Sequence, residues 1–424
     1  MVKPAWVREP GPGPRLVHVN ATATGGGVAE LLHGLVPAQL AAGVDAGWAV
    51  IAGDDGFFAF TKSLHHLLHD RGAPRIPAAG LDHYRAVLAP QAEWLAARVG
   101  PGDTVVLHDP QVLGLAPALA AVGARVVWHC HIGTDAAGAA GPKVVWRAFA
   151  GELSSVDVVV TALAEYAPPG RPVAVCAPAF DPKAAKNRPM CAAETGALLA
   201  EAGLTAEAAG ALAVVEQDAP MPVGARMVLQ VSRWDPLKDM PGVLRLLPGL
   251  PGDVHLVLAG NDPEEIPDDP EGLAVLAEVR RLRAGLPASL RRRVHLLRTS
   301  QQHPERAALL INALQRRADV VVQKSLAEGF GLTVTEAMAK GRPVVAGRVG
   351  GLCAQIEHGR TGLLVDPADT AAVTAAVCGL LSCLRDRERI GAAAAAAAAA
   401  TYPMDRLVAD YRAVAARIPE GASR

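Results

Sequence analysis

The chain reads as an α/β protein of two doubly wound domains, each a mostly parallel sheet faced by helices. Three observations predict this. Short apolar runs alternate with segments of helical periodicity along most of the 424 residues. Those runs are nearly continuous in apolar residues, as strands buried on both faces are. The series also occurs twice, which requires two sheets. At roughly 100–200 residues per domain, the length fits two.

The first series begins with a strand at 15–20, a glycine turn and a helix at 28–41. Strands follow at 47–51, 104–107, 125–128 and 156–160. The second series has strands at 226–231, 254–259, 294–297, 319–323 and 343–345. Helical patterns at 271–283 and 304–317 lie between them. The boundary is expected between Pro189 and Gly224, a stretch rich in Ala and Gly that ends in Ala219-Pro220-Met221-Pro222. The domains are accordingly set at 1–205 and 206–400, with a last helix in 401–424 packing back onto the first. Gly391 precedes nine alanines, a helix built from the strongest helix former.

Composition narrows the function. Lys+Arg is 41 against Asp+Glu 42, a net charge of -1. A general nucleic-acid binder is clearly basic, so an anionic ligand here must meet a local charge cluster. The basic run Arg280, Arg281, Arg283, Arg291, Arg292, Arg293, Arg298 reads as a solvated face. The six cysteines form no CxxC and read as reduced thiols of a cytoplasmic protein. No uncharged stretch exceeds 15 residues, short of the about 20 that span a bilayer, and no apolar leader opens the chain. Hydrophobic residues make up 51%, which excludes a disordered chain.

Three segments carry chemistry. His18-Val19-Asn20-Ala21-Thr22-Ala23-Thr24-Gly25-Gly26-Gly27 joins a strand to a helix through three glycines. Such a turn lets backbone approach a phosphate at a helix N-terminus; it also fits an ordinary flexible turn. It is neither GxGxxG nor a Walker loop. Gln230-Val231-Ser232-Arg233-Trp234-Asp235-Pro236-Leu237-Lys238-Asp239 ends a buried strand on two cations. Arg233 and Lys238 there can hold a diphosphate and stabilise it as a leaving group; alternatively Asp235 and Asp239 neutralise them at the surface. Glu328-Gly329-Phe330-Gly331-Leu332-Thr333-Val334-Thr335-Glu336 places one carboxylate in a glycine-bearing loop and another in the following helix. Carboxylates accept hydrogen bonds from sugar hydroxyls, though acidic residues also favour helix starts.

Weaker candidates are set aside. His65, His66 and His69 include an i,i+4 pair without an evident third ligand, so a plain helix face is preferred to a metal site. Asp54-Asp55 and Asp268-Asp269 read as turns. No GxSxG is present.

These segments resemble the GT-B glycosyltransferases of family 4, whose hallmark is E-x7-E. More narrowly they are similar to the trehalose glycosyltransferring synthases and related trehalose phosphorylases. The matching stretches are HVNATATGGGVAELLHGLVP, HDPQ at 108–111, CHIGT at 130–134, KNRP at 186–189, QVSRWDPLKD, INALQRRADVVVQKSLAEGFGLTVTEAMAKGRPVVAGRVGG and TGLLV at 361–365. The resemblance implies two Rossmann-like domains facing across a cleft, the first carrying the acceptor and the second the nucleotide sugar. It implies that Arg233 and Lys238 hold the donor diphosphate and that Glu336 binds the ribose. Glu328 and His131 would contact the transferred sugar, near the backbone N–H groups of Gly331 and Leu332. Gly26 and Gly27 would approach the phosphate. The partners implied are a nucleoside diphosphate sugar and a sugar-like acceptor, with retention of configuration, no metal or other cofactor, and a possible homodimer.

The chain departs from the family's usual R-C-H-I-D at the third strand end, which here reads His129-Cys130-His131-Ile132-Gly133, followed by a small-residue run from 136 to 141. An Arg and an Asp are lost on the acceptor side. The residues expected there are Asn20, His129, Gly133 and Asp135. A modified sugar, aminosugar or cyclitol acceptor is therefore an alternative to glucose. A non-catalytic sugar-nucleotide binder is a third reading, opposed by the intact Arg233, Lys238, Glu328 and Glu336.

Overall fold

The computed structural model describes residues 3–24, 26–135, 138–206, 212–266 and 270–418. Gly25 of the glycine turn, the start of the 136–141 run and the Asp268-Asp269 pair lie outside the described residues.

The chain divides into two units. The first comprises Met1–Ala179, Glu328–Phe330 and Tyr402–Arg424. Its sheet holds β1 (Ala5–Arg8), β2 (Leu16–Asn20), β3 (Ala46–Val50), β4 (Thr104–His108), β5 (Arg125–Cys130), β6 (Val158–Thr161) and β7 (Val173–Val175). The spatial order is β1-β3-β2-β4-β5-β6-β7. All neighbours run parallel except β1, an antiparallel edge strand on β3 that the sequence pattern did not suggest.

Side chains alternate across a strand, and the two faces of this sheet differ in chemistry. Val17, Val19, Val105, Leu107, Val126 and Trp128 fill an apolar core on one side. On the other, Leu16, Val106 and Val127 pack with Leu32, Leu35 and Val36 of helix Gly27–Ala41 and with Leu407 and Tyr411 of helix Met404–Arg417. His18, His108 and His129 share the parity of these residues. The last helix thus covers a face that carries three strand histidines. Arg406 anchors it, donating to the carbonyls of Ala177 and Pro178 at 2.7 and 3.2 Å.

The second unit is Phe180–Ala327 with Gly331–Thr401. Its sheet holds β8 (Ala213–Glu216), β9 (Arg226–Val231), β10 (Val254–Asn261), β11 (Val294–Thr299), β12 (Val320–Gln323), β13 (Val344–Gly347) and β14 (Leu363–Val365), in the order β14-β13-β12-β9-β10-β11-β8. β8 is the antiparallel edge. The cut between units falls after Ala179, ahead of the boundary placed at 205. The reason is local packing: Asn312 on helix Pro304–Arg317 donates to the carbonyls of Ala185 and Arg188, each at 2.9 Å, and binds that segment to the second unit. The nine alanines lie inside helix Leu384–Thr401. Among the described residues no helix is long and apolar enough to cross a membrane.

Candidate functional site

In the second unit the strand order reverses at β9. β10 and β11 lie to one side, β12, β13 and β14 to the other. Ligands of open α/β sheets bind past the carboxyl ends of strands at such a reversal. Arg233 stands two residues beyond β9 with its side chain 52% exposed, and donates to Asp235 Oδ2 at 2.7 Å. Lys238 closes the single turn Pro236–Lys238, which Asp235 caps by accepting from Leu237 N at 2.8 Å.

The turn is fixed from beneath by Gln230, which is fully buried. Its amide donates to the Lys238 carbonyl at 2.7 Å, and its Oε1 accepts from Lys324 N at 2.9 Å. One side chain thereby holds β9, the cationic turn and the end of β12 in register. Lys324, 4% exposed, forms an ion pair with Asp239. Asp239 takes a left-handed backbone at φ 47° and accepts from Gly242 N at 2.9 Å. Lys324 is a cation the sequence reading missed. Its only signal was a lysine placed directly after an apolar strand.

Past β12, Gly331 adopts φ 95°, ψ 61° and caps helix Leu332–Ala339. A side chain is strained in this left-handed region. The turn leaves the N–H groups of Leu332 and Thr333 without intrahelical acceptors. Glu336 lies one turn in, 4% exposed, with Oε1 3.5 Å from Lys186 Nζ. Lys340 Nζ donates to Asn187 Oδ1 at 2.9 Å, Gln315 Oε1 at 2.8 Å and the Glu336 carbonyl at 3.2 Å. Burial pushes the Lys340 ammonium down to about 7, against the pull of Glu336. The Lys186-Asn187 segment is thus strapped to the helix that carries Glu336.

In the first unit, strand order reverses between β2 and β4. The ends of β4 and β5 converge on Asp109 and His131. Asp109 holds φ 65°, costly for a residue with a Cβ. Three hydrogen bonds hold it: His131 N donates to its Oδ1 at 2.7 Å, Trp128 Nε1 to its carbonyl at 3.0 Å, and its own N–H to the His129 carbonyl at 2.9 Å. Burial raises its carboxyl to about 7, while the His131 N–H works the other way.

Glycine sets how closely Glu328–Phe330 lies to this strand end. A Cβ on Gly329 would stand 2.4 Å from the His131 carbonyl oxygen. A Cβ on Gly133 would stand 2.1 Å from the Tyr166 ring. The Tyr166 hydroxyl donates to the Glu328 carbonyl at 3.3 Å. His131, Gly133, Tyr166 and Glu328 are therefore brought together by two glycines that admit no larger residue.

The remaining candidates separate. A cavity of about 270 Å³ is lined by Gly133, Asp135, Lys143, Trp146, Glu165 and Tyr166 among others. Of the four acceptor-side residues named from sequence, Gly133 and Asp135 line it. His129 and Asn20 do not, because both are buried and held inside. The Asn20 amide donates to the Thr22 carbonyl at 2.7 Å and accepts from Trp48 Nε1 at 2.8 Å. The His129 ring contacts the Tyr411 hydroxyl at 2.5 Å and is 0% exposed. Gly26 caps the first helix at φ 145°, and Gly27 begins it. A Cβ at either meets nothing within 4 Å, so close approach is available there but conformation requires glycine only at Gly26.

The histidine cluster is the second feature the sequence reading missed. His18 Nδ1 lies 2.9 Å from His108 Nε2, and His108 Nδ1 lies 2.9 Å from His131 Nε2. His129 stacks on His131 with ring centroids 3.8 Å apart. Ring nitrogens of His108, His129 and His131 fall within 4.8 Å, close enough to share an ion. The stacked rings, and the nitrogens already directed at each other, favour hydrogen bonding over convergence on a metal. Burial drives all four rings toward the neutral form: His18 to about 4, His131 to about 3, and His108 and His129 well below the ordinary value.

Residues 18–168 match a family model described as "Trehalose synthase, N-terminal domain", and residues 226–383 match "Glycosyl transferases group 1". The trehalose synthase of Rubrobacter xylanophilus is 34% identical over 378 residues, covering 86% of this chain and 81% of that protein. The trehalose phosphorylase of Pleurotus pulmonarius is 28% identical over 84% of this chain and 50% of its own length. Among solved structures, the Escherichia coli trehalose-6-phosphate protein bound with UDP-2-fluoro glucose superposes with a TM-score of 0.72. It shares 15% identity over 96% of this chain and 99% of that one.

Proposed function

Since the chain belongs to the trehalose synthase family of glycosyltransferases, we propose that it moves a glucosyl-type group from a nucleoside diphosphate sugar to a sugar hydroxyl with retention. The observation that carries this reading is the cation set at the β9/β12 reversal. Arg233 and Lys238 stand on a turn that buried Gln230 and the Lys324–Asp239 pair hold in place. Preorganised cations stabilise charge as it develops on a leaving diphosphate. The first N–H groups of helix Leu332–Ala339 add dipoles of the same sign.

The roles follow. Arg233 and Lys238 hold the diphosphate and Glu336 the ribose hydroxyls. Glu328 and His131 meet the transferred sugar. The bond from the anomeric carbon to the diphosphate breaks and its electron pair leaves with the phosphate. The acceptor oxygen bonds to the same face of that carbon, and its proton passes to the departing phosphate oxygen. No enzyme nucleophile is required, so positioning and charge stabilisation do the catalysis.

A second reading concerns the acceptor. The space next to Gly133 is taken by the Tyr166 ring, and Asp135, Glu165 and Lys143 line the adjacent cavity. The two carboxylates can pair with an aminosugar's ammonium, which plain glucose lacks, and this supports a modified acceptor of that kind. A competition between glucose and these acceptors, at equal concentration with one nucleotide sugar, decides it. Dominant trehalose formation returns the chain to glucose.

A further inference from the structure

The buried histidines form a chain with a direction. His18 Nε2 lies 3.0 Å from Gln39 Oε1, His18 Nδ1 meets His108 Nε2, and His108 Nδ1 meets His131 Nε2. His18 and His108 are 0% and 1% exposed, and Gln39 is 1% exposed. A neutral imidazole has one N–H and one lone pair. Three neutral rings linked by two hydrogen bonds therefore admit only two arrangements, with every N–H pointing toward Gln39 or every N–H pointing away.

Gln39 selects between them. Its carbonyl oxygen faces His18 and can only accept. His18 must then donate from Nε2, His108 from Nε2, and His131 from Nε2. We propose that Gln39 is a positioning residue, which through His18 and His108 commits the His131 proton inward and leaves His131 Nδ1 as a hydrogen-bond acceptor. His131 Nδ1 has no hydrogen-bond partner among the described residues. If His131 meets the transferred sugar, as under the function proposed above, this lone pair accepts a hydrogen bond from a sugar hydroxyl.

The surroundings keep the rings neutral and thus the chain intact. His129 stacks on His131, and its own Nδ1 faces the Tyr411 hydroxyl. The Asp109 carboxylate accepts from the His131 backbone N–H, and Cys130 lies next to it in the strand. Burial raises both the Asp109 carboxyl and the Cys130 thiol. A proton added to one ring would place charge beside three other imidazoles in a buried volume, where unsolvated charge is costly. Gln39 Nε2 is itself buried with no partner among the described residues. Turning the amide over would move that deficit to Oε1 and reverse every tautomer in the chain.

The test is long-range nitrogen–proton NMR of the histidine rings in the full-length protein and in Gln39→Leu, which keeps bulk and removes both polar atoms. The wild-type spectrum should show His18, His108 and His131 each protonated at Nε2. Gln39→Leu should mix the tautomers and raise the donor KM about 2- to 10-fold, the scale of one neutral hydrogen bond, with kcat changed less. Gln39→Glu, which keeps an acceptor oxygen, should restore the Nε2 pattern. A wild-type His131 protonated at Nδ1 overturns the proposal, as does a Gln39→Leu spectrum identical to wild type. The wild-type pattern needs no variant, so a misfolded Gln39→Leu leaves the decisive spectrum in hand. A protein with the predicted spectrum that transfers no sugar refutes the transferase reading and leaves the relay standing.

Discussion

Lowering the pH from 7 to 5 should destabilise the first unit by several kcal/mol, and the histidine cluster sets the size of the effect. In the unfolded chain His18, His108, His129 and His131 protonate near 6.5. The fold holds them neutral, with His18 depressed to about 4, His131 to about 3, and His108 and His129 well below the ordinary value. Below 6.5 protons therefore bind the unfolded chain preferentially, and stability falls with pH until the folded values are reached. At pH 5 this costs about 2 kcal/mol for each of His18 and His131, or about 4 kcal/mol for the two, and His108 and His129 act in the same direction. Asp109 works in the opposite sense. Its carboxyl is raised to about 7, so the fold penalises its charged form and regains about 2 kcal/mol on going to pH 5. The histidines win by about 2 kcal/mol from His18 and His131 alone, with His108 and His129 adding to it, a sizeable part of a typical domain's 5–15 kcal/mol. Among the described residues of the second unit one ring has a comparably large shift, His295, pushed down to about 3, so the first unit should open first. Urea unfolding at pH 7 and pH 5, with hydrogen exchange to assign the unit, measures this. An equal midpoint for the first unit at both pH values would refute the reasoning.

Three substitutions extend the account. Arg233→Ala should cut kcat by roughly 10²–10³-fold, the scale for one preorganised charge stabiliser; near-full turnover at saturating donor would remove it from the diphosphate role. Glu336→Gln should weaken nucleoside diphosphate binding by about tenfold, read by calorimetric titration; unchanged affinity would make Glu336 a partner of Lys186 alone. Gly329→Ala drives a Cβ to 2.4 Å from the His131 carbonyl oxygen, so it should cost about 1–3 kcal/mol and displace Glu328. A variant with wild-type melting temperature and turnover would show that the close approach is unnecessary.

The two sheets were legible because parallel strands buried on both faces leave unbroken apolar runs. Residues 226–231 and 304–317 were read with the bounds the structure shows. The edge strand Ala5–Arg8 was not, because four residues that are largely exposed and end in an arginine leave no such run, and Ala213–Glu216, though apolar, lies inside the Ala- and Gly-rich stretch read as the domain boundary. Arg233, Lys238, Gly331 and Glu336 stood in contiguous motifs and could be named. Lys324 and Gln230 act across strands, and their partners lie 85 and 94 residues away in sequence. The histidine chain has the same character. His18 and His108 come from two strands and His131 from the end of a third, and only the sheet register brings His18, His108 and the neighbouring His129 to one face. His129 and Asn20 were expected on the acceptor side from the family resemblance, but parity turns them inward.

Retaining transfer from a nucleoside diphosphate sugar is tested most directly by incubating the protein with a panel of such donors and of glucose, aminosugar and cyclitol acceptors. Product mass reports the transfer, and proton NMR of the anomeric centre reports its stereochemistry. The account predicts acceptor plus one hexose, release of one nucleoside diphosphate per product, and the donor's anomeric configuration preserved. An inverted linkage, or no product with any donor while the protein remains folded, would contradict it.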